Sequence, residues 1–399
     1  MKKCIVIGVT GGIAAFKTCQ LVSNLKKKDY DIHVIMTKNA TEFIAPLTFE
    51  SLSGNRVSID TFDRNFEYST QHISLAKKAD CFVIVPATAN VIAKIVHGLA
   101  DDMLTTTFLA CSCKKIICPA MNTGMLNNQI TQENIMKCKE LGYEIIDSDD
   151  GYLACGDIGK GKLADIDLIE QAIEKSLEKP LLKGKRICIT AGPTQEAIDP
   201  VRFITNHSSG KMGHALAKIA RNLGAEVTLI EGPTSLSDLP WINTIHVKSA
   251  KDMFNEVTKR ADQFDCIIKA AAVADYTIKN PATQKVKKQE NDLTLVLERT
   301  YDILAYLGQH KKENQILCGF AMETENLIEN ARNKCIKKNC DLVIANSINT
   351  EGAGFKTDTN KITIIRKDSI KEVDLMSKEE CARIILEECF KGESYVTNN

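Results

Sequence analysis

The chain has 399 residues, with 51 acidic and 51 basic side chains, and 44% of its residues are hydrophobic. This length exceeds what one hydrophobic core usually supports, and the balanced charge favours neither nucleic acid nor a membrane surface as a partner. Because no run of about 18 apolar residues occurs and the start Met1-Lys2-Lys3 lacks an apolar signal region, we expect a soluble, unexported, cytoplasmic protein.

The 15 cysteines indicate a reducing compartment rather than a disulfide framework. Their number is odd, no Cys-x-x-Cys occurs, and most of them lie in apolar runs, where they act as small hydrophobes. Cys111 and Cys113 follow an apolar helix and have no histidine near them in sequence. A zinc site is therefore not expected there, and the sequence assigns no other metal ligands.

Strands and helices alternate through the first half of the chain. The apolar strand at 4–7 is followed by the glycine-rich loop 8–12, which could bind a phosphate or could be a tight turn that binds nothing. The further predicted elements are helix 13–27, strand 31–36, helix 41–52, helix 72–78, strand 81–85, helix 91–96, helix 103–111, strand 115–118, helix 129–141, strand 143–146 and helix 168–177. This alternation predicts a doubly wound parallel sheet, whose ligands bind beyond the carboxyl ends of the strands.

The loops at that edge of the sheet carry small and polar residues. Thr37 follows the second strand, PATAN at 86–90 follows the third, and PAMN at 119–122 follows the fourth. Their hydroxyls, amides and backbone donors suit a phosphate and a polar heterocycle. No acid ends the second strand, where the ribose of NAD would require one, so FMN fits better than NAD.

The segment GYLACGDIGKGK at 151–162 surrounds Cys155 with four glycines. We expect a mobile flap, because glycine permits φ > 0 and raises the entropy of a loop. Cys155 is either an incidental loop cysteine or a thiol that the flap lowers onto a substrate as a general acid. His72, at a helix start, is either a cap or a catalytic group.

On these residues the first half resembles the flavin-dependent phosphopantothenoylcysteine decarboxylases of coenzyme A biosynthesis. The resemblance rests on His72, PATAN, LADDMLTT at 99–106, PAMN and the ACG of the flap. It implies a catalytic His72, a substrate-binding Asn122 and a proton-donating Cys155. It also implies an FMN site made of Gly11, Gly12, Thr37, Pro86, Thr88, Asn90, Asp101 and Thr105. The chain departs from the family at Thr88, where serine is commoner, and at Leu126, where tryptophan often stands.

The chemistry that this resemblance implies is coherent. A saturated cysteine residue has no electron sink for decarboxylation, whereas a flavin can oxidise its CH₂–SH group to a thioaldehyde that accepts the electrons left by CO₂. Asn122 would hold the departing carboxylate through its amide. Cys155 would protonate the resulting enethiolate, and the reduced flavin would then return its hydride to give the thiol. His72 would either assist deprotonation or orient the substrate.

A second α/β unit starts near Lys185, which gives predicted domains at 1–179 and 180–399. Strand 186–190 leads into a polar loop and then a helix at 211–222, an arrangement that offers backbone N–H groups to an anion. The further predicted elements are strand 226–231, strand 244–247, helix 250–261, strand 266–270, strand 293–297, helix 302–309, strand 315–320, helix 326–337, strand 342–345, short strands at 362–365 and 371–373, and helix 378–390. The lysine-rich segment 279–290 is either a solvated charge run or a flexible flap over a triphosphate.

This half resembles the CTP-using phosphopantothenate–cysteine ligases that are fused behind such decarboxylases. The matching segments are 192–213, AAVADY at 271–276, KVKK at 285–288, GFAMET at 319–324 and DLVIANS at 341–347. The resemblance implies that Asn206 binds the acyl intermediate. It also implies a CTP site made of Lys269, Ala270, Ala271, Asp275, Lys285, Tyr301, Asp302, Ile303, Leu304, Phe320, Lys334 and Lys338. The family usually has Pro-Asp-Ile-Val where this chain has Tyr-Asp-Ile-Leu at 301–304.

The predicted fold is therefore α/β, with two doubly wound Rossmann-like domains, the first of the flavoprotein type and the second of the ligase type. The resemblance implies a bifunctional enzyme that joins 4′-phosphopantothenate to L-cysteine through an acyl-cytidylate and decarboxylates the product to 4′-phosphopantetheine. Lysines and Mg²⁺ would neutralise the charge that develops on CTP. The resemblance also implies trimeric decarboxylase halves and dimeric ligase halves.

Two other classes of protein remain open. One is a tandem nucleotide-binding or flavin-storage protein without catalysis. The other is an NAD-dependent dehydrogenase with a duplicated Rossmann half, against which the missing ribose acid and the flap around Cys155 argue.

Overall fold

The computed structural model describes residues 2–62, 70–154, 156–288, 293–323, 326–347, 354 and 357–391. The chain divides into two compact units, Met1–Glu178 and Lys179–Asn399. This division lies one residue before the boundary that the sequence predicts. No helix in the described part of the chain is both long and apolar enough to cross a bilayer.

The first unit alternates strands and helices as predicted. Its strands are β1 (Cys4–Val9), β2 (Asp31–Met36), β3 (Cys81–Ala87), β4 (Lys114–Pro119), β5 (Glu144–Ile145), β6 (Asp149–Tyr152) and β7 (Ile158–Lys162). Its helices are α1 (Ala15–Lys27), α2 (Pro46–Ser53), α3 (Gln71–Lys78), α4 (Ala89–Val96), α5 (Met103–Ala110), α6 (Thr123–Leu126), α7 (Gln129–Glu140) and α8 (Ile166–Leu177), with a 3₁₀ helix at Lys38–Glu42.

The main sheet of this unit has the strand order β2-β1-β3-β4-β5, and every pair in it is parallel. The doubly wound sheet predicted from the sequence is thus confirmed. The chain reverses its direction of winding between β1 and β3, the topological switch point at which ligands bind in such sheets. Strands β6 and β7 form a separate antiparallel hairpin.

Apolar clusters cover both faces of this sheet. Ile5 and Ile7 of β1 belong to one cluster, with Leu21 of α1, while Val6 belongs to the other, with Phe108 of α5. Successive side chains of a strand point to opposite faces, so one apolar run supplies both cores. Burial of one large aliphatic side chain contributes about 1.5–3 kcal/mol, which makes the central strands a rigid base for the loops at their ends.

The single helix predicted at 41–52 is wrong. The structure has a 3₁₀ helix at Lys38–Glu42 and a separate helix α2 that begins at Pro46. Proline lacks the N–H that a continuous helix needs, and it disfavours the helical conformation at the preceding residue. Ala45 is accordingly extended, with ψ 136°, and Pro46 opens the new helix.

The second unit has a larger sheet. Its strands are β8 (Arg186–Ala191), β9 (Gln195–Ala197), β10 (Phe203–Thr205), β11 (Glu226–Glu231), β12 (Asn243–His246), β13 (Cys266–Lys269), β14 (Tyr276–Ile278), β15 (Leu297–Arg299), β16 (Ile316–Glu323), β17 (Leu342–Ser347), β18 (Thr359–Ile365) and β19 (Ile370–Ser377). Its helices are α9 (Lys211–Asn222), α10 (Ala250–Thr258), α11 (Ile303–His310), α12 (Leu327–Lys337) and α13 (Lys378–Cys389), with a 3₁₀ helix at Ala261–Gln263.

The order in this sheet is β12-β11-β8-β13-β16-β17-β18-β19. In this sheet β12, β11, β8, β13, β16 and β17 are parallel to one another. Strands β18 and β19 continue the edge antiparallel. The switch point lies between β8 and β13.

The strand predicted at 293–297 is wrong: β15 starts at Leu297 and pairs with β14 in a small hairpin outside the main sheet. The polar loop after β8 contains the short pair β9 and β10.

Candidate active sites

A cavity of about 490 Å³, which we call the first cavity, lies at the carboxyl ends of β1, β3 and β4. The loop after each of these strands contributes to its wall, and the β6–β7 hairpin contributes the opposite side. Five of the residues predicted from the sequence line it together: Gly11, Gly12, Pro86, Thr88 and Asn122. The first cavity therefore occupies the switch point of the sheet.

The Thr10 hydroxyl ties two of these loops together. Its Oγ1 donates to the carbonyl oxygen of Pro86 at 2.7 Å and accepts from the backbone N–H of Thr88 at 3.1 Å. Thr10 is fully buried, so water does not compete for these bonds. Sequence reasoning missed this role, although a threonine directly after an apolar strand was the available signal.

Gly11 lies against the loop after β2. A Cβ atom at this position would lie 2.6 Å from Cβ of Asn39, so no side chain fits there. The bare backbone, the α1 N-terminus and the mostly apolar remainder of the lining suit a ligand with a flat ring and a phosphate group. The residues present thus fit a flavin nucleotide.

The glycine-rich segment, which the sequence predicts to be a mobile flap, forms a hairpin docked on the loop after β4. The backbone N–H of Met121 donates to the carbonyl oxygen of Gly161 at 3.0 Å, and Thr123 Oγ1 donates to that of Lys160 at 2.7 Å. Gly161 has φ 130°, and a Cβ atom there would lie 2.1 Å from the Met121 oxygen. The lack of a side chain at Gly161 therefore allows β7 to approach the loop after β4 closely. Cys155 lies outside the described residues, but its neighbour Ala154 lines the first cavity.

Asn122 joins the α6 N-terminus to this hairpin. Its Oδ1 accepts from the backbone N–H of Gly124 at 2.8 Å, which caps α6. Its Nδ2 donates to Oδ2 of Asp157 at 3.3 Å. These two bonds fix the direction of the amide in the wall of the cavity.

Other predicted residues of this half are not among the described residues that line the first cavity: Thr37, His72, Asn90, Asp101 and Thr105. Thr37 caps the 3₁₀ helix by accepting from the backbone N–H of Ala40. Thr105 is buried in a capping box with Asp102 at the start of α5. His72 is half-buried in the first turn of α3.

A cavity of about 430 Å³, which we call the second cavity, lies at the carboxyl ends of β13, β16 and β17 and beside the start of α9. It brings together predicted residues that are up to 128 positions apart in sequence (334 − 206): Asn206, Lys269, Ala270, Ala271, Asp275, Phe320 and Lys334. The loop before α9 forms another wall, with Gly210 at φ 79° directly before the helix. Backbone donors at a helix start and the four lysines of the described lining suit an anionic ligand.

Four lysines are among the described residues that line the second cavity, and two of them, Lys269 and Lys334, affect one another. Lys334 Nζ donates to the carbonyl oxygen of Phe320 at 2.8 Å, which holds the ammonium at the cavity wall. Burial and the nearby Lys334 charge lower the pKa of Lys269 to about 8, against the opposing effect of the Asp302 and Asp275 carboxylates. The negative charge of a bound polyanion would oppose that shift, because it favours the ammonium form of Lys269.

The side-chain amide of Asn206 is held by a hydrogen bond to the backbone of the cavity wall. Its Nδ2 donates to the carbonyl oxygen of Ala272 at 3.0 Å, so one donor of the amide is used by the chain itself. Ala272 in turn follows β13, and its backbone N–H donates to the carbonyl oxygen of Gly192, the residue after β8, at 2.9 Å. The amide is thereby tied to the two central strands.

The remaining predicted nucleotide-binding residues are not among the described residues that line the second cavity: Lys285, Tyr301, Asp302, Ile303, Leu304 and Lys338. Ile303 and Leu304 are buried in the apolar core, so only their backbone is available to a ligand. Lys338 Nζ lies 2.6 Å from Oδ2 of Asp302.

The described part of the lysine-rich segment, which the sequence leaves open as a solvated charge run or a flexible flap, is fastened at Val286. The backbone N–H of Val286 donates to Oδ2 of Asp199 at 3.1 Å, and Arg202 Nη2 donates to the Val286 oxygen at 2.9 Å. The Arg202 guanidinium also contacts Asp199 directly, at 2.6 Å, and holds the pKa of that carboxyl well below its usual range. Sequence reasoning did not single out Asp199, because its partners lie up to 87 positions away.

Two groups of side chains in the described ranges have the spacing of metal ligands, and neither lines either cavity. One is Cys4, Asp31 and His33; the other is Glu231, Asp238 and His246. In the first group the Lys78 ammonium lies 2.7 Å from Asp31, where a cation would bind. These groups therefore do not identify a catalytic metal.

Comparison with known proteins gives consistent similarities over both units. Residues 1–178 match the family described as Flavoprotein, and residues 182–392 match the family described as DNA/pantothenate metabolism flavoprotein C-terminal domain. The chain is 47% identical over 389 residues to Coenzyme A biosynthesis bifunctional protein CoaBC of Bacillus subtilis, covering 96% of each chain. It is 43% identical over 387 residues to the protein of that name from Borreliella burgdorferi, covering 96% of this chain and 98% of the other. The crystal structure of the C-terminal domain of a CoaBC protein is 44% identical and covers 53% of this chain and 96% of that chain, with a TM-score of 0.45.

Proposed function

Because the chain belongs to the family of coenzyme A biosynthesis bifunctional proteins, we propose that its two cavities carry the two activities of that family. The first unit is the phosphopantothenoylcysteine decarboxylase, and the second is the phosphopantothenate–cysteine ligase. The observation that carries this proposal is that each unit collects its motif residues in one cavity at the switch point of its own sheet.

The first cavity would hold FMN against the loops after β1 and β3. Gly11, Gly12, Pro86 and Thr88 line it there. The Thr10 hydroxyl joins the two loops through its hydrogen bonds to Pro86 and Thr88. When bound, the flavin would supply the two-electron acceptor that decarboxylation of a cysteine residue requires. Thr37, Asn90, Asp101 and Thr105 stay candidates for the edge of this site.

Three side chains would act on the substrate of the decarboxylase. Asn122, which is fixed by its bonds to Gly124 and Asp157, would hold the carboxylate that leaves as CO₂. The Cys155 thiol would donate its proton to the carbon that loses the carboxylate. His72 would orient the substrate or accept a proton from it.

The second cavity would bind CTP and the acyl group. Lys269 and Lys334 would face the phosphates, with Asp275 and the backbone of Ala270, Ala271 and Phe320 around the nucleoside. Lys285, Lys338 and residues 301–304 would complete the site when the substrates are bound. The carboxylate of phosphopantothenate would attack the α-phosphate of CTP, and pyrophosphate would leave. The amine of cysteine would then attack the acyl carbon of the acyl-cytidylate, which Asn206 would hold, and CMP would leave. A Mg²⁺ ion would share the charge of the leaving pyrophosphate with the lysines.

Assembly and location are further parts of the proposal. We expect trimeric decarboxylase units, which the exposed apolar side chains of Ile13, Phe16 and Met136 support, and dimeric ligase units. The substrates are small molecules made and used in the cytoplasm, where we place the protein.

The proposal is tested with the purified full chain. We expect a visible flavin spectrum, release of pyrophosphate that depends on CTP and phosphopantothenate, and formation of 4′-phosphopantetheine and CO₂ when cysteine is added. A yellow protein that releases no CO₂ from phosphopantothenoylcysteine would be a flavin-storage protein instead. A protein without flavin absorption that reduces NAD would be a dehydrogenase.

A further inference from the structure

The first cavity has a charge pattern that neither the flavin ring nor the decarboxylation step uses. Of the described residues that line it, two carry a charge, and both are lysines: Lys17 on α1 and Lys162 on β7. The remaining lining residues are apolar, glycine or neutral polar. The described wall of this cavity thus carries positive charge and no negative charge.

Neither of these ammonium groups has an ion-pair or hydrogen-bond partner within the described ranges. Other lysines of the same unit are paired: Lys28, also on α1, lies against Glu170 and Glu174, and Lys94 lies 2.7 Å from Asp101. The chain as a whole has as many acidic as basic residues. The first cavity thus has two cations that an anionic ligand would neutralise.

Lys17 and Lys162 belong to different elements with a fixed backbone. Lys17 is half-buried in the first turn of α1. Lys162 ends β7, and its side chain crosses the hairpin beside Gly151, where a Cβ atom would lie 3.1 Å from Cδ of Lys162. The docking of β7 on the loop after β4 holds this strand in place. Lys17 thus lines the cavity from α1, and Lys162 lines it from β7.

We propose that Lys17 and Lys162 form a subsite for the terminal phosphate group of the decarboxylase substrate. This inference rests on the proposed function of the first unit. A phosphomonoester near neutral pH carries about two negative charges, and in a mostly apolar cavity it needs cations to offset its lost hydration. Lysine supplies a point charge for a phosphate without demanding one orientation.

FMN also carries a phosphomonoester, so the cofactor is the other source of this chemistry. The bare backbone at Gly11 and the N-terminus of α1 offer N–H donors at the switch point, which suits the cofactor phosphate. Lys162 lies on the separate β6–β7 hairpin, and Lys17 follows that loop in the first turn of α1. We therefore assign them to the substrate.

The test compares Lys17→Gln, Lys162→Gln and the double variant with Lys160→Gln. Lys160 is an exposed lysine of the same strand that is not among the residues lining the cavity. For each protein, kcat/KM is measured with phosphopantothenoylcysteine and with its dephosphorylated analogue, and the preference is the ratio of the two. Flavin content and the Kd values for FMN and riboflavin are measured in parallel.

We expect the preference to fall about tenfold for each lysine removed, mainly through KM, while flavin content stays at the wild-type level. Lys162→Arg, which keeps the charge, should retain most of the preference, and added salt should lower the wild-type preference. Lys160→Gln should behave as wild type.

An unchanged preference in the double variant would overturn the subsite. Loss of discrimination between FMN and riboflavin, with the substrate preference intact, would also overturn it and would assign the lysines to the cofactor. If the wild-type protein turns over neither substrate, the proposed function of the first unit fails, and this inference fails with it.

Discussion

The carboxylate of Asp199 accepts a hydrogen bond from the backbone N–H of Val286 at 3.1 Å, which fastens the residue directly after Lys285. The same carboxylate receives two backbone N–H bonds from Val201 and Arg202, each at 2.8 Å. One buried anion thus organises both the loop between β9 and β10 and the lysine-rich segment. The position of Lys285 depends on a residue outside the lysine-rich segment.

Asp199→Asn should weaken the ligase and leave the decarboxylase intact. The amide removes the charge that pairs with Arg202, and its NH₂ group cannot accept the bond from Val286. We expect kcat/KM for CTP to fall about tenfold, measured as pyrophosphate release. Asp262→Asn, at an exposed aspartate of the second unit, is the control. Equal losses in both variants would show that Asp199 has no special role.

The two half-reactions of ligation should separate Lys285 from Asn206. Lys285→Gln removes a charge needed when pyrophosphate leaves, so we expect no acyl-cytidylate to form. Asn206→Asp loses the amide donor that binds the Ala272 oxygen, so the attack by cysteine should fail while activation survives. Each variant is incubated with phosphopantothenate and CTP without cysteine, and pyrophosphate and the mixed anhydride are measured. Activation that survives only in Lys285→Gln would reverse these roles.

The binding of CTP should depend on pH through Lys269. Its pKa is lowered to about 8, so the ammonium is charged below that pH and lost above it. We expect the KM for CTP to rise as the pH increases from about 7 to 9.5, and Lys269→Gln to abolish that rise. Lys259→Gln, at an exposed lysine after α10, should keep it. A pH profile that is the same in wild type and Lys269→Gln would contradict the assignment.

The lowered pKa of Lys269 also predicts how the stability of the protein changes with pH. Above about pH 8 the folded protein has released the Lys269 proton, whereas the unfolded chain retains it up to about pH 10. The unfolded state therefore binds more protons in this window. The contribution of Lys269 to the free energy of unfolding should increase as the pH rises through it. Denaturant unfolding of wild type and Lys269→Gln across the window isolates this contribution.

Asn122→Asp should impair decarboxylation without unfolding the site. The new carboxylate can still cap α6 through Gly124, but it opposes Asp157 and the carboxylate of the substrate. We expect kcat/KM to fall about 10- to 100-fold with the flavin retained. Asn128→Asp is a matched control, because Asn128 caps α7 through Ile130 in the same way. Unchanged substrate affinity in Asn122→Asp would remove this residue from substrate binding.

The first unit should function without the second. Its two apolar clusters are made of residues between Cys4 and Leu177, so a chain that ends at Lys179 keeps its whole core. We expect this shortened protein to be yellow and to decarboxylate phosphopantothenoylcysteine at the rate of the full chain. A colourless or insoluble product would show that the first unit needs the second to fold or to bind flavin.

The alternation of apolar runs and turns was enough to predict both parallel sheets, because each strand is short, apolar and followed by small residues. The motifs also placed Asn122, Asn206 and Lys334 at cavities. What the sequence could not give are contacts between distant segments, such as Thr10 with Pro86 or Asp199 with Val286. Neither residue type nor spacing identifies such partners. The role of Gly161 was misjudged for the same reason, since the Met121 oxygen that excludes a side chain lies 40 positions earlier (161 − 121).

The short connector before β8 is a structural part of the ligase unit. Leu182 is 2% exposed in the core cluster that contains Leu223, and its backbone N–H donates to the Leu223 oxygen at 2.8 Å. For protein engineering, the exchangeable module therefore starts at Lys179 and not at Arg186. Residues inserted just before Lys179 would leave Leu182 buried in this cluster. Residues inserted between Leu182 and β8 would displace Leu182 from the cluster, at a loss of about 1.5–3 kcal/mol in the free energy of unfolding. The permitted splice point between the two enzymes is thus only a few residues wide.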